Sequence, residues 1–256
     1  TWSSKGTTFA GDLTTANGVQ IGFNGSRGLS LAVNEVRLYS TALDADAVKS
    51  IVPNRTGKEV AADANLTLHY DFIGSTDEEK LTDKVSGQNR LTLADTGDSY
   101  VRSGMAHINA AAGNCLLVNL PAGTNLSGAD GMTVFSTFRM SDLNETATWQ
   151  TVFRLDGTVL LAADPKTKTL ATAAGGTLES NASNRASEKL WSADSWLTVA
   201  AVLRQTGAGV QETLYFTYDG GTTWYRISAG FSGQSLTQSG KTLILGKNAP
   251  NADGVA

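Results

Sequence analysis

Several groups of residues have types and spacings that bear on chemistry. Thr217-Tyr218-Asp219-Gly220-Gly221-Thr222-Thr223-Trp224 compresses a carboxylate, two glycines and an indole into one tight turn. Asp219 is placed to accept backbone N–H bonds across it, with Thr217 and Thr223 beside it, Gly221 supplying positive φ and Trp224 folding back on a hairpin. Asp83, Ser86 and Asn89 offer hard oxygens of the kind Ca²⁺ prefers. The same residue types build a surface turn from their own hydrogen bonds, and they are fewer than the roughly six to eight oxygens calcium takes. Tyr100, Trp149 and Trp191 lie near the ends of apolar runs, where a flat ring stacks on a sugar, with Arg102, Asn181, Asn184 and Arg185 as polar partners. The alternative is that these rings cap a core, since large aromatics are commonly half buried.

Catalysis finds less support. A retaining glycosidase needs two carboxyl groups about 5 Å apart. Asp77-Glu78-Glu79 are adjacent in what reads as a solvated loop, and Glu35 stands apart. His69 and His107 are the only histidines; they are separated in sequence and read as packing residues, as does Cys115. A His-based metal centre or a Ser-His-Asp hydrolase has little to build on. The single Cys excludes an internal disulfide and Cys-based zinc sites.

The chain that must position these groups has 256 residues, 27 Gly, 4 Pro and a net charge of −4. No block of Lys or Arg is present to neutralise successive phosphates, so no nucleic-acid partner is expected. No apolar run approaches the roughly 20 residues of a membrane span, so no membrane insertion is expected either. Short β-branched runs separated by Gly, Asn, Asp and Ser recur throughout, the pattern of antiparallel strands in a sandwich. Strands are expected at 18–23, 31–39, 66–72, 106–108, 115–118, 132–140, 151–155, 160–162, 197–204, 211–218, 223–227 and 242–246. One short helix is expected after Leu43: Asp44 is the N-cap, Leu43 and Val48 form a hydrophobic staple, and Pro53 closes it.

A partial repeat organises the whole. Val19-Gln20-Ile21-Gly22-Phe23-Asn24 and Leu243-Ile244-Leu245-Gly246-Lys247-Asn248 share one form, and only the first is followed by a strand and helix. The expectation is the C-terminal part of a first sandwich over 1–52, a linker over 53–65, and a second sandwich over 66–256 lacking its closing strand.

Asn34-Glu35-Val36-Arg37-Leu38-Tyr39-Ser40-Thr41-Ala42-Leu43 resembles the closing signature of laminin-G-like modules of the concanavalin A-like lectin/glucanase superfamily. The opening Leu68-His69-Tyr70-Asp71-Phe72 and the runs from Met132, Trp149, Trp196, Leu214 and Leu243 follow in a similar order. The resemblance implies an all-β, antiparallel two-sheet jelly-roll sandwich. It further implies a non-catalytic carbohydrate-binding or adhesive lectin-like module of a secreted or cell-surface protein, commonly bacterial, with glycan or polysaccharide as partner and covalently linked neighbouring domains. Relatives that hydrolyse glucans carry E-x-D-x-x-E on one strand, and this spacing does not occur here. The turn from Thr217 to Trp224 fits the Asp-box pattern of sialidases, which leaves two other readings: an accessory region of a glycoside hydrolase, or a ligand-free structural spacer.

Overall fold

The computed structural model describes residues 8–10, 23–24, 27–28, 31–51, 63–94, 99–102, 104–108, 115–120, 130–140, 150–155, 159–164, 169–174, 183–185, 195–232 and 242–245. The strands are β1 (Thr8–Ala10), β2 (Phe23–Asn24), β3 (Arg27–Gly28), β4 (Leu31–Tyr39), β5 (Leu66–Tyr70), β6 (Thr92–Ala94), β7 (Tyr100–Arg102), β8 (Met105–Ile108) and β9 (Cys115–Asn119). They continue as β10 (Gly131–Met140), β11 (Gln150–Leu155), β12 (Val159–Asp164), β13 (Thr169–Ala174), β14 (Ser183–Arg185), β15 (Trp196–Thr206), β16 (Gly209–Thr217), β17 (Tyr225–Ser232) and β18 (Thr242–Leu245).

The protein is an all-β sandwich. One sheet of nine strands runs β1-β17-β16-β15-β10-β4-β8-β7, with β5 also on β4. The other, of seven strands, runs β14-β13-β12-β11-β18-β9-β6. Pairing is antiparallel except for β1 on β17. Alternation explains the layers, because successive side chains on a strand face opposite ways. On β10, Met132, Val134, Phe138 and Met140 enter the core shared with Leu116, Val118, Val152, Phe153, Leu161 and Leu170 of the other sheet. Thr133, Phe135, Thr137 and Arg139 take the intervening positions and therefore line the outer face.

The expected strand at 31–39 is present in full as β4, and its neighbours are the informative part. It lies inside the nine-stranded sheet, along β10 on one side and along β8 and then β5 on the other. Residues 32–39 are all buried, as a strand flanked on both edges requires. Asn34 is an extra residue in β4 between Val33, opposite Phe138, and Glu35, opposite Thr137. That bulge switches the side-chain alternation, so Ala32, Glu35, Arg37 and Tyr39 all face outward.

After β4 comes α1 (Ala45–Ser50), whose first turn Asp44 caps by accepting from the Asp46 and Ala47 backbone N–H groups at 3.0 and 2.8 Å. It seats Val48 on the outer face, in a second apolar cluster with Tyr39, Leu66, Phe135, Ala200, Val202 and Tyr215. A second helix, α2 (Asp77–Leu81), replaces the loop expected around Asp77-Glu78-Glu79. Thr76 and Glu79 form a reciprocal capping box there, a signal that Thr-x-x-Glu carries in the sequence. The five-residue helix has no apolar period to announce it.

Candidate functional site

The loop offered for calcium is organised from within. Asp83 has no exposure, and its Oδ1 accepts from the His69 and Val85 N–H groups at 2.8 and 3.1 Å. Its Oδ2 accepts from Ser86 N–H and Ser86 Oγ at 3.0 and 2.7 Å. Asn89 Nδ2 donates to Ser86 Oγ at 3.3 Å. With both carboxylate oxygens committed to donors, the residues do not fit a Ca²⁺ ion, which needs those lone pairs. Among the described residues no three His, Cys, Asp or Glu side chains gather as a metal site.

The Asp-box turn joins β16 to β17. Asp219 Oδ1 accepts from Thr217 Oγ1 at 2.8 Å and from Thr223 N–H at 2.9 Å, while Gly221 N–H donates to Thr217 Oγ1 at 3.1 Å. Gly220 and Gly221 take φ of 73° and 95°, where a side chain is strained. Trp224 packs against the second cluster. Some loss of hydration in the turn pushes the exposed Asp219 carboxyl upward, and its hydrogen bonds with Thr223 and Thr217 outweigh this, leaving it below the usual aspartate range.

Under the outer face lies a buried ionic cluster that sequence reading did not assemble. Glu35 Oε1 meets Arg37 Nε and Nη2, both at 2.6 Å, and His69 Nε2 at 2.7 Å. These side chains are almost wholly covered. Arg37 and His69 stand opposite each other on β4 and β5, and Glu35 is two residues along on the same face. The Arg37 guanidinium lies 5.7 Å from the Phe135 ring centre. The cluster is a strut, closed to any substrate.

The residues proposed for sugar contact separate. Trp149 and Trp191 lie outside the described residues. Asn184 and Arg185 sit on β14, an edge of the seven-stranded sheet next to β17. Tyr100 and Arg102 sit on β7, at the far edge of the other sheet.

Register builds a row around that second pair. Tyr100 pairs with His107, His107 with Ala32, Ala32 with Arg139 and Arg139 with Trp196. All five occupy outward positions, so the row crosses the outer face from its edge towards its middle. Thr217 pairs with Thr198, which brings the Asp-box turn to the same end of the sheet as Trp196. Tyr100 is 41% exposed, its ring stacked on His107 at 4.8 Å with the Arg102 guanidinium 4.7 Å from the ring centre. Arg139 lies 5.5 Å from the Trp196 ring centre. Burial, and then the nearby Arg139 charge, lower the His107 pKa, so its imidazole is neutral near pH 7.

The Tyr100 ring is thus engaged by its neighbours. His107, Arg139 and Trp196 were missed as members of the site. Each reads locally as a strand residue, and only cross-strand register aligns them. No protein-family model, curated protein or solved structure matches this chain.

Proposed function

We propose that this sandwich is a non-catalytic carbohydrate-binding or adhesive module of a larger secreted or cell-surface protein, holding its glycan on the outer face of the nine-stranded sheet. The observation that carries this reading is the Tyr100-His107-Arg139-Trp196 row with Arg102 beside it. Aromatic edges, a phenol hydroxyl, an imidazole and guanidinium groups are a set that hydrogen-bonds and packs against a pyranose. Three of the described carboxylates have structural occupations: Glu35 is buried against Arg37 and His69, Asp83 is consumed by its loop, and Glu79 caps α2. The resemblance of Asn34–Leu43 to the closing signature of laminin-G-like modules agrees with a jelly-roll lectin, and placement outside the cell belongs to the same proposal. Among the described residues no helix is long and apolar enough to cross a membrane.

A glycan array followed by affinity electrophoresis tests the reading. Retention by at least one glycan, weakened about tenfold or more by Tyr100→Ala, is the expected result. No retention on any polysaccharide overturns it and leaves the structural spacer.

A further inference from the structure

Arg102 differs from five other basic residues of the described surface. Lys49, Lys80, Lys84 and Arg90 each approach a carboxylate, those of Asp46, Asp77, Asp71 and Glu78, at 3.5, 2.9, 3.7 and 3.6 Å. Arg204 donates to the Ala42 carbonyl at 3.0 Å. Arg102 is exposed and has no hydrogen bond or ion pair among the described residues; its one contact is the Tyr100 ring. A guanidinium held over an aromatic ring keeps its planar fork oriented while its donors remain available.

Arg139 is the second charged side chain of the row, and His107 beside it is neutral near pH 7. His107 stacks on the other partner of that ring contact, and Arg139 is close enough to His107 to depress its pKa. The outward positions of β7, β8 and the paired parts of β4 and β10 carry Tyr100, Arg102, Met105, His107, Ala32 and Arg139, with no carboxylate among them. The nearest outward acid along β4, Glu35, is held by Arg37 and His69. The formal charges of the row are therefore those of Arg102 and Arg139, while the carboxylates of α2, which packs beside β7, are engaged by Lys80, Arg90 and the helix's own first turn.

We propose that the row selects a saccharide bearing a carboxylate, a uronic-acid-type unit, with Arg102 taking the carboxylate in bidentate fashion and Tyr100 and His107 lying along the ring that carries it. The inference rests on the carbohydrate-binding reading and adds the charge of the ligand. A carboxylate offers two in-plane acceptors that match the guanidinium fork, and such charge-assisted pairs are roughly twice as strong as neutral hydrogen bonds.

The test uses the full chain, a galacturonic acid tetrasaccharide, the fully methyl-esterified tetrasaccharide of the same sugar, and isothermal titration at low and moderate salt. The expected result is binding of the acid about tenfold or more tighter than the ester, weakening as salt rises. Arg102→Gln, at an exposed position with no hydrogen bond to lose, brings the acid down to the level of the ester. Equal affinity for acid and ester overturns the charge selection while leaving carbohydrate binding intact. Binding of neither, alongside an empty glycan array, overturns the underlying reading as well. Acid preference that survives Arg102→Gln removes Arg102 from the role and overturns the proposal.

Discussion

The Glu35 carboxylate and the His69 imidazole meet at 2.7 Å across two paired strands, 34 positions apart in the chain, and neither reaches solvent. Arg37 completes the cluster from the same face of β4. Removing one member of such a cluster leaves a buried charge or polar group uncompensated. Glu35→Ala is therefore expected to cost about 3–5 kcal/mol, read from urea melts. Replacing all three together, Glu35→Leu with Arg37→Met and His69→Leu, is expected to cost less than Glu35→Ala alone. A triple variant less stable than the single one would show that the ion cluster itself, and not merely its completeness, stabilises the sheet.

Two glycines separate backbone strain from overlap. At Gly131, φ is +142° and a Cβ would run into the Leu203 carbonyl and the Ala42 side chain, so Gly131→Ala is expected to cost about 3 kcal/mol or more. At Gly220, φ is +73° with open space around it, so Gly220→Ala is expected to cost only about 1 kcal/mol. Paired denaturation curves check the ordering.

The His107 imidazole is expected to titrate below the ordinary histidine value of about 6.5, followed through its ring protons by NMR. Burial is the larger cause and Arg139 the smaller. Arg139→Met should therefore recover only part of the depression. A full return to the ordinary value would assign the effect to charge alone.

Acid should loosen the Asp-box turn. Asp219 has a folded pKa below its unfolded one, so its contribution is fully present above the unfolded value and is lost as pH falls through the folded one. Asp219→Asn should then be less stable than the parent at neutral pH, with the gap closing in acid. A gap that is constant across an acid series of thermal melts would detach the carboxylate's charge from the turn's stability.

The pairing of β4 on both edges makes a prediction about the stretch expected to link two modules. A protease site placed between Lys58 and Glu59 and then cleaved should leave the two pieces co-eluting on a sizing column under native conditions. Separation on cleavage would mean that β4 is held by covalent tethering rather than by its ladders with β10, β8 and β5.

The strands and the first helix were readable because their signals are local. Alternation marked Met132 to Met140, and Asp44 stood where a cap must stand. The bulge at Asn34, the α2 capping box and the row from Tyr100 to Trp196 were harder. A bulge is one extra residue in an unbroken apolar run, a five-residue helix has no period, and register depends on which strands meet. Tyr100 and Arg102 could be proposed for a sugar by residue type. His107, Arg139 and Trp196 could not, because their proximity exists only after four strands have paired.

The burial of β4 also bears on how the molecule is made. Ser136 donates from β10 to the Glu35 carbonyl of β4 across 101 positions of chain. At roughly 5–20 residues per second of synthesis, about 5–20 s pass between the emergence of these partners from the ribosome. During that interval β4 has only β5 and β8 to lean on, with its other edge and its half of an ionic cluster uncovered. The strand at the heart of the sheet is thus made well before the strand that closes its second edge, and the nascent chain carries an open sheet edge through that interval.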